Sequence, residues 1–177
     1  MQWLTHGERF VYENPWVSVS LVDVEIPGER RFEHHVVHSA DASGVLMVDE
    51  DDQVLLLWRH RFVTDTWGWE IPAGRIDPGE DPLSAAHREG LEETGWEPGP
   101  LRHLLTYHPI NGVVDVRFHA YVADGAHHRG EPSDPSESER VEWIGPDRLR
   151  RIVRDGEMPD GLSLTACAYA LAFDFGR

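Results

Sequence analysis

Gly74-Arg75-Ile76-Asp77-Pro78-Gly79-Glu80-Asp81-Pro82-Leu83-Ser84-Ala85-Ala86-His87-Arg88-Glu89-Gly90-Leu91-Glu92-Glu93-Thr94-Gly95-Trp96 is the stretch on which both fold and chemistry turn. Asp81 has the side chain of an N-cap, Pro82 suits the first helical position, and Gly95 is the residue type that ends helices. The spacing predicts a helix over Pro82 to Thr94, with Trp96 placed to contact Leu91 and close a Schellman turn. Glu89, Glu92 and Glu93 stand at i, i+3 and i+4, on one face of that helix. Like charges so spaced oppose helix formation, and acids near a helix C-terminus also oppose its dipole. A hard divalent cation such as Mg2+ would offset that cost, because it takes carboxylate oxygen and keeps water positions open for phosphate. A solvated acidic face is the plain alternative.

Working outward, short alternating or β-branched runs precede the helix: Phe10 to Tyr12, Trp16 to Ile26, Arg31 to His38, Gly44 to Val48 and Val54 to Arg59. Turn signals between them, Glu13-Asn14-Pro15, Pro27-Gly28 and Asp49-Glu50-Asp51-Asp52, predict consecutive antiparallel hairpins. Leu104 to His108, Val116 to Val122 and Val141 to Ile144 read as later strands. Two more helices are expected, Pro146 to Asp155 and Ser163 to Phe173, the latter from the helical spacing of Leu162, Ala166, Tyr169, Ala170 and Phe173. Gly125 to Ser138, rich in Gly, Pro, Ser and charge, reads as a long loop. Strands, a central helix, more strands and terminal helices make an α+β sandwich.

The 177 residues suffice for one compact domain with a real core. Sixteen basic residues, all Arg, face 32 acids, for a net charge of -16. That field excludes nonspecific binding to nucleic acid or to an anionic membrane surface. The charge is uneven: Glu70 to Trp96 carries -5 and Asp41 to Asp52 another -5 with no base. The single Cys167 excludes an intramolecular disulfide framework and points to a reducing compartment, and Met1 to Phe10 lacks a signal-peptide pattern. A cytoplasmic protein is expected.

Gly, five residues, Glu, seven residues, then Arg-Glu-x-x-Glu-Glu-x-Gly and an apolar residue resembles the signature box of the Nudix hydrolases. Gly74, Glu80, Arg88, Glu89, Glu92, Glu93 and Gly95 match it, with Trp96 at the final apolar position. Gly90 departs from it, standing where the pattern has a bulky apolar residue; it is expected to weaken the helix by about 1 kcal/mol and to remove a core contact. The resemblance implies a Nudix-type α/β/α sandwich. Its glutamates would hold Mg2+, or Mn2+ in substitution, on the pyrophosphate of a nucleoside diphosphate derivative. It implies metal ligation by Glu89 and Glu93 with Glu92 assisting, and a buttressing ion-pair role for Arg88.

Trp69-Glu70-Ile71-Pro72-Ala73-Gly74, with Arg59 and Arg61 before it, is similar to the ADP-ribose pyrophosphatase subgroup. That likeness adds the Ala73 carbonyl as a metal ligand and puts Arg59, Arg61, Glu70 and Gly74 at the substrate. For Arg59 a surface strand end, and for Glu70 an anchor of the box loop, are the structural alternatives. The general base would be Glu139, Glu137 or Glu92. The subgroup also implies an additional N-terminal antiparallel sheet, residues 1–40, that dimerises, with Trp16 and Phe32 at the interface or in the core. Residues 41–177 would then form the hydrolase domain. The loop Tyr107 to Asp115 resembles that of the subgroup except that its Asp-Glu pair reads Asp115-Val116.

The expected substrate is a nucleoside diphosphate sugar, ADP-ribose first, cleaved to AMP and ribose 5-phosphate. GDP-mannose, a dinucleotide, a nucleoside triphosphate, or a sensor that binds a nucleotide without turnover stand as alternatives. His34, His35 and His38 read as structural or surface histidines. Trp67 and Trp69 read as core or as a platform for a base, and Cys167 as a small core residue.

Overall fold

The computed structural model describes residues 1–133, 138–173 and 175. They form two compact units. The smaller comprises Met1–Asp41 and His108–Arg117. Its sheet is an antiparallel meander of β1 (Leu4–Glu13), β2 (Val17–Ile26) and β3 (Arg30–Ser39) in the order β1-β2-β3. Residues 108–117, expected in the larger part, join this unit because their backbone bonds to β3. The Val37 N–H donates to Val113 O at 2.8 Å and the Asp115 N–H to Val37 O at 3.3 Å. Histidines of the strand complete the tie. His34 Nε2 lies 2.8 Å from Gly112 O, and His38 bridges Asp115 through Nδ1 (2.5 Å) and Glu8 through Nε2 (3.0 Å). Trp16 is exposed and Phe32 half-buried against Trp3, at 5.8 Å between ring centroids.

The larger unit, Ala42–Tyr107 and Phe118–Arg177, holds a seven-stranded mixed sheet. Its members are β4 (Ala42–Val48), β5 (Val54–Arg61), β6 (Thr66–Glu70), β7 (Ala73–Arg75), β9 (Leu101–Tyr107), β10 (Phe118–Asp124) and β12 (Arg140–Ile144). A separate two-stranded ribbon pairs β8 (Trp96–Pro98) with β11 (Ala126–His128). The main order is β12-β5-β4-β10-β9, with β6 on β5 and β7 on β4. β1-β2, β2-β3 and β4-β5 are antiparallel pairs joined at the three expected turns, but β3 and β4 belong to different sheets, so the run of hairpins breaks between them, and β4 takes β10 as a parallel neighbour. Ser43 to Val48 and Val54 to Leu57 are buried residue after residue, as strands covered on both faces are.

Period-two alternation sorts those residues between two cores. Val45, Met47, Leu55 and Tyr121 pack with Ala86 of α1 (Pro82–Thr94). Leu46, Val48, Leu56 and Val122 pack with Leu149 and Ile152 of α2 (Pro146–Asp155) and with Ala166, Cys167 and Ala170 of α3 (Gly161–Ala172). This is the α/β/α layering expected. Burial pushes the Cys167 thiol up to about 12, consistent with a small core residue. Trp69, 1% exposed, is also core, whereas Trp67 is half exposed. The acidic turn between β4 and β5 organises itself: Asp49 Oδ1 accepts from the N–H groups of Asp51 and Gln53. Among the described residues, no helix is long and apolar enough to cross a membrane.

Three local expectations change. Residues 126–128, expected in a loop, form a strand because β8 supplies a partner that three residues cannot advertise in sequence. The end of α1 is a simple left-handed cap, not a Schellman turn: Gly95, at φ 73°, donates to Leu91 O, and the Trp96 N–H is taken by Thr94 Oγ1 at 3.0 Å. The Trp96 ring packs edge-on against Trp143. Gly90 leaves no missing core contact, because the space of its absent side chain is filled by Pro98, whose Cγ lies 2.6 Å from where a Cβ would stand.

Candidate active site

The site is built where α1 crosses β4, β5 and β7. Asp81 caps the helix, accepting from the N–H groups of Leu83 and Ser84 at 3.0 and 3.1 Å, so the phase of the glutamates is set from its first turn. Like charge along Glu89 and Glu92 is offset by Arg88. Its guanidinium donates to Glu89 Oε1 (2.7 Å), Glu92 Oε2 (3.1 Å), both oxygens of Glu80 (2.9 Å each) and the Arg75 carbonyl (3.0 Å). A planar fork can satisfy so many acceptors at once; an ammonium could not. The pairing holds the Glu80 carboxyl below its ordinary range. Sequence reasoning counted Glu80 only as a match to the box and missed that it grips Arg88 from both oxygens. Glu92 remains half exposed.

Glu89 lies against the backbone of β7. A Cβ at Gly74 would overlap its carboxylate, so only glycine admits the group at that depth. Glu93 is deeper, 4% exposed. Its Oε1 accepts from Arg59 Nη1 at 2.7 Å and its Oε2 from the Ala73 N–H at 2.8 Å. Burial pushes its carboxyl up to about 7, against the pull of Arg59 and of the Ala73 N–H. Arg59 is itself buried rather than a surface strand end. Its parity with Leu55 and Leu57 along β5, visible in the sequence, is the signal that turns it toward α1.

Arg61 and Glu70 meet next to this cluster. Arg61 donates through Nε (3.0 and 3.1 Å) and Nη2 (2.5 Å) to Glu70, which is buried. Both line a recess of about 320 Å³ with Thr64, Thr66, Pro159 and Asp160. Asp160 caps α3 by accepting from the Ser163 N–H, and Ser163 Oγ accepts from the Ile71 N–H at 3.1 Å, which ties α3 to the strand entering the box. Neither residue stood out in the sequence, although Asp160-Gly161-Leu162-Ser163 has the spacing of a helix start. Glu139 donates its N–H to Trp58 O at 2.9 Å and lines a recess of about 390 Å³ with Thr94, Trp96 and His128. Glu137 lies outside the described residues.

Hard carboxylate oxygens stacked on one helical face, with a backbone glycine cleared for one of them, fit a divalent cation of the Mg2+ type. Within the described residues, no three His, Cys, Asp or Glu side chains converge as a set. The glutamates turn instead to Arg88 and Arg59.

The NUDIX domain model matches residues 38–162. CMP-5'-(N-acetyl-N-hydroxy-3-aminopropyl)phosphonate hydrolase of Streptomyces rubellomurinus is 44% identical over 156 residues, 88% of this chain and 76% of that one. ADP-ribose pyrophosphatase of Bacillus subtilis is 26% identical over 167 residues, 93% of this chain and 90% of that one. A solved structure, ADP compounds hydrolase, superposes with a TM-score of 0.83 over 99% of this chain and 96% of its own at 19% identity, a likeness of fold. By the family match and its relatives, this chain belongs to the Nudix family of hydrolases, and ADP-ribose pyrophosphatases are among the proteins it is similar to.

Proposed function

We propose that the protein hydrolyses the phosphoanhydride of a nucleotide-linked compound with Mg2+, or Mn2+ in its place. The observation that carries the reading is the pair Glu89 and Glu93: Glu89 fits into the clearance at Gly74, and Glu93 accepts from the Ala73 N–H and from Arg59 Nη1. Glu89, Glu93 and the Ala73 carbonyl would hold the cation, with Glu92 assisting. When bound, the cation supplies charge neutralisation at phosphorus and a more acidic attacking water. Arg88 keeps the carboxylates in place by ion pairing. Arg59, whose guanidinium already holds Glu93 through Nη1, is the first choice for a contact with a substrate phosphate, because its planar fork can serve more than one acceptor. Arg61, Glu70 and Gly74 flank the substrate side.

A water oxygen adds to one phosphorus, the bridging P–O bond breaks, and the proton lost by the water passes to Glu139 or Glu92. Glu139 is a candidate because it precedes β12 with its N–H on Trp58 O, next to Arg59 along β5. ADP-ribose, giving AMP and ribose 5-phosphate, is the first substrate to test. A second reading, a nucleotide joined to a phosphonate, is favoured by the 44% relative and would break the same kind of P–O–P bridge.

Wild-type protein incubated with ADP-ribose, GDP-mannose, a dinucleotide, a nucleoside triphosphate and a CMP-phosphonate, with Mg2+ or with chelator, distinguishes these by chromatography of the products. Metal-dependent nucleoside monophosphate from the first or last is expected. Tight binding of ADP-ribose without product at any Mg2+ concentration would favour a sensor. Glu93→Gln should lower turnover at least about a hundredfold while the circular dichroism spectrum stays native. Full turnover in that variant would sink the metal assignment.

A further inference from the structure

The segment that leads into α3 is fastened along β6 and the strand end beyond it. The Trp69 N–H donates to Glu157 O at 2.9 Å, Pro159 lies where a Cβ of Gly68 would stand, and the Ile71 N–H donates to Ser163 Oγ at 3.1 Å. Thr66, Gly68 and Glu70 pair with Arg61, Arg59 and Leu57, so alternation puts them all on one face of the β5–β6 hairpin, the face on which Arg59 meets Glu93. The recess of about 320 Å³ lined by Arg61, Thr64, Thr66, Glu70, Pro159 and Asp160 therefore has fixed walls and opens beside the glutamate cluster. Arg61 joins the two: Glu70 first, then Asp160 and Glu93, raise its pKa against burial.

The polar groups of the recess are unequally used. Glu70 takes the Arg61 guanidinium on both of its oxygens. Asp160 uses only Oδ2, which accepts from the Ser163 N–H at 2.8 Å and the Ser163 hydroxyl at 2.6 Å; its Oδ1 has no hydrogen bond among the described residues. Thr64 and Thr66 share a hydrogen bond at 2.7 Å. The lining thus offers acceptor oxygen while its cation is already paired, which suits hydroxyl donors and repels a further phosphate.

We infer that this recess is the subsite for a neutral, hydroxyl-bearing group joined to the nucleotide through the anhydride, with Asp160 Oδ1 as the acceptor that selects it. The inference rests on the hydrolase reading above and deepens it, because it names the side of the anhydride that lies toward α3 and the kind of group chosen there. A site built to accept from a hydroxyl discriminates against an analogue that lacks one.

The test compares ADP-ribose with the propyl ester of ADP, which keeps nucleotide and anhydride but has no hydroxyl beyond them, and with ATP. Wild-type kcat/KM with Mg2+ should favour ADP-ribose over the ester by about tenfold or more, the scale of one hydrogen bond to a charged group. Asp160→Asn keeps a cap for α3, because asparagine caps helices as aspartate does. It should cut that preference by about fivefold or more, chiefly through KM, and raise activity on ATP relative to ADP-ribose. Asp160→Ser, also a capping residue, repeats the comparison if the first variant melts early. Calorimetric titration in chelator, where nothing turns over, should show ADP-ribose binding the wild type more tightly than the ester, and Asp160→Asn narrowing the gap. Equal handling of ester and ADP-ribose by the wild type, or a preference that both variants leave intact, would overturn the subsite while the hydrolase reading stands. A wild type that cleaves none of the three compounds would reject the hydrolase reading and the subsite with it.

Discussion

At the scale of single residues, the site depends on where carboxylate oxygens are held more than on how many there are. Gly74 is the clearest case. Its missing Cβ is the space that the Glu89 carboxylate occupies, so Gly74→Ala should push that group outward by an ångström or more. Activity should fall by about a hundredfold, the cost of a small misplacement at a reacting centre, while the melting temperature changes little, because the displaced atoms end a side chain. Steady-state kinetics beside a thermal melt will show it; unchanged kcat/KM would mean that Glu89 is not held there in the working enzyme. The identities of Glu89, Glu92 and Glu93 were legible from helical spacing alone. Arg88 as their ion-pair partner was implied by the resemblance; that Glu93 faces Arg59, 34 residues away, and that Glu80 grips Arg88 from both oxygens depend on chain segments meeting in space.

At the scale of elements, α1 shows how a departure from a family pattern is absorbed. Alanine at Gly90 would gain about 1 kcal/mol in helix propensity, yet its Cβ would stand 2.6 Å from Pro98 Cγ and 3.1 Å from Val45 Cγ1. Overpacking of that kind costs about 1–3 kcal/mol, so Gly90→Ala should lower stability by about 1 kcal/mol net, measured by urea denaturation; a stabilised variant would show that Pro98 yields freely. In the smaller unit the ties that secure residues 108–117 include His38. Asp115 first, then Glu8, raise its pKa against the opposing effect of burial. Because the folded value exceeds the unfolded one, the imidazolium adds stability that is full below about 6.5 and lost as pH rises through the raised folded pKa. Protection factors of the Val37 and Asp115 amides should therefore decline across that window, and His38→Gln should abolish the decline. A His38 titration at the ordinary value, followed by nuclear magnetic resonance, would refute the account. The strands that sequence missed, Thr66–Glu70, Ala73–Arg75, Trp96–Pro98 and Ala126–His128, are three to five residues long. Runs so short carry no periodicity of their own and form because a neighbouring strand supplies their hydrogen bonds.

At the scale of the whole molecule, the exposed apolar residues of the N-terminal meander, among them Phe10, Tyr12 and Trp16, support the proposal that this sheet pairs two copies of the chain. Light scattering should then give twice the 20.2 kDa of one chain, and Phe10→Asp with Trp16→Asp should reduce it to one; a monomeric wild type at micromolar concentration would reject the proposal. The net charge of -16 takes on structure too. One acidic cluster is an ordinary hairpin turn closed by Asp49, and the other is the carboxylate helix, locally balanced by Arg59 and Arg88. By itself the sequence determined the three helices, the longer strands, the layered class of fold and the face on which the glutamates stand, because caps, periodicity and turn residues act within a dozen residues of chain. Only the tertiary structure decided that β4 runs parallel to β10, that Pro98 fills the space beside Gly90, and that Arg59 lies buried on Glu93. Those outcomes are settled by which surfaces exclude water together and which buried polar atoms find partners, and both are properties of residues far apart in sequence.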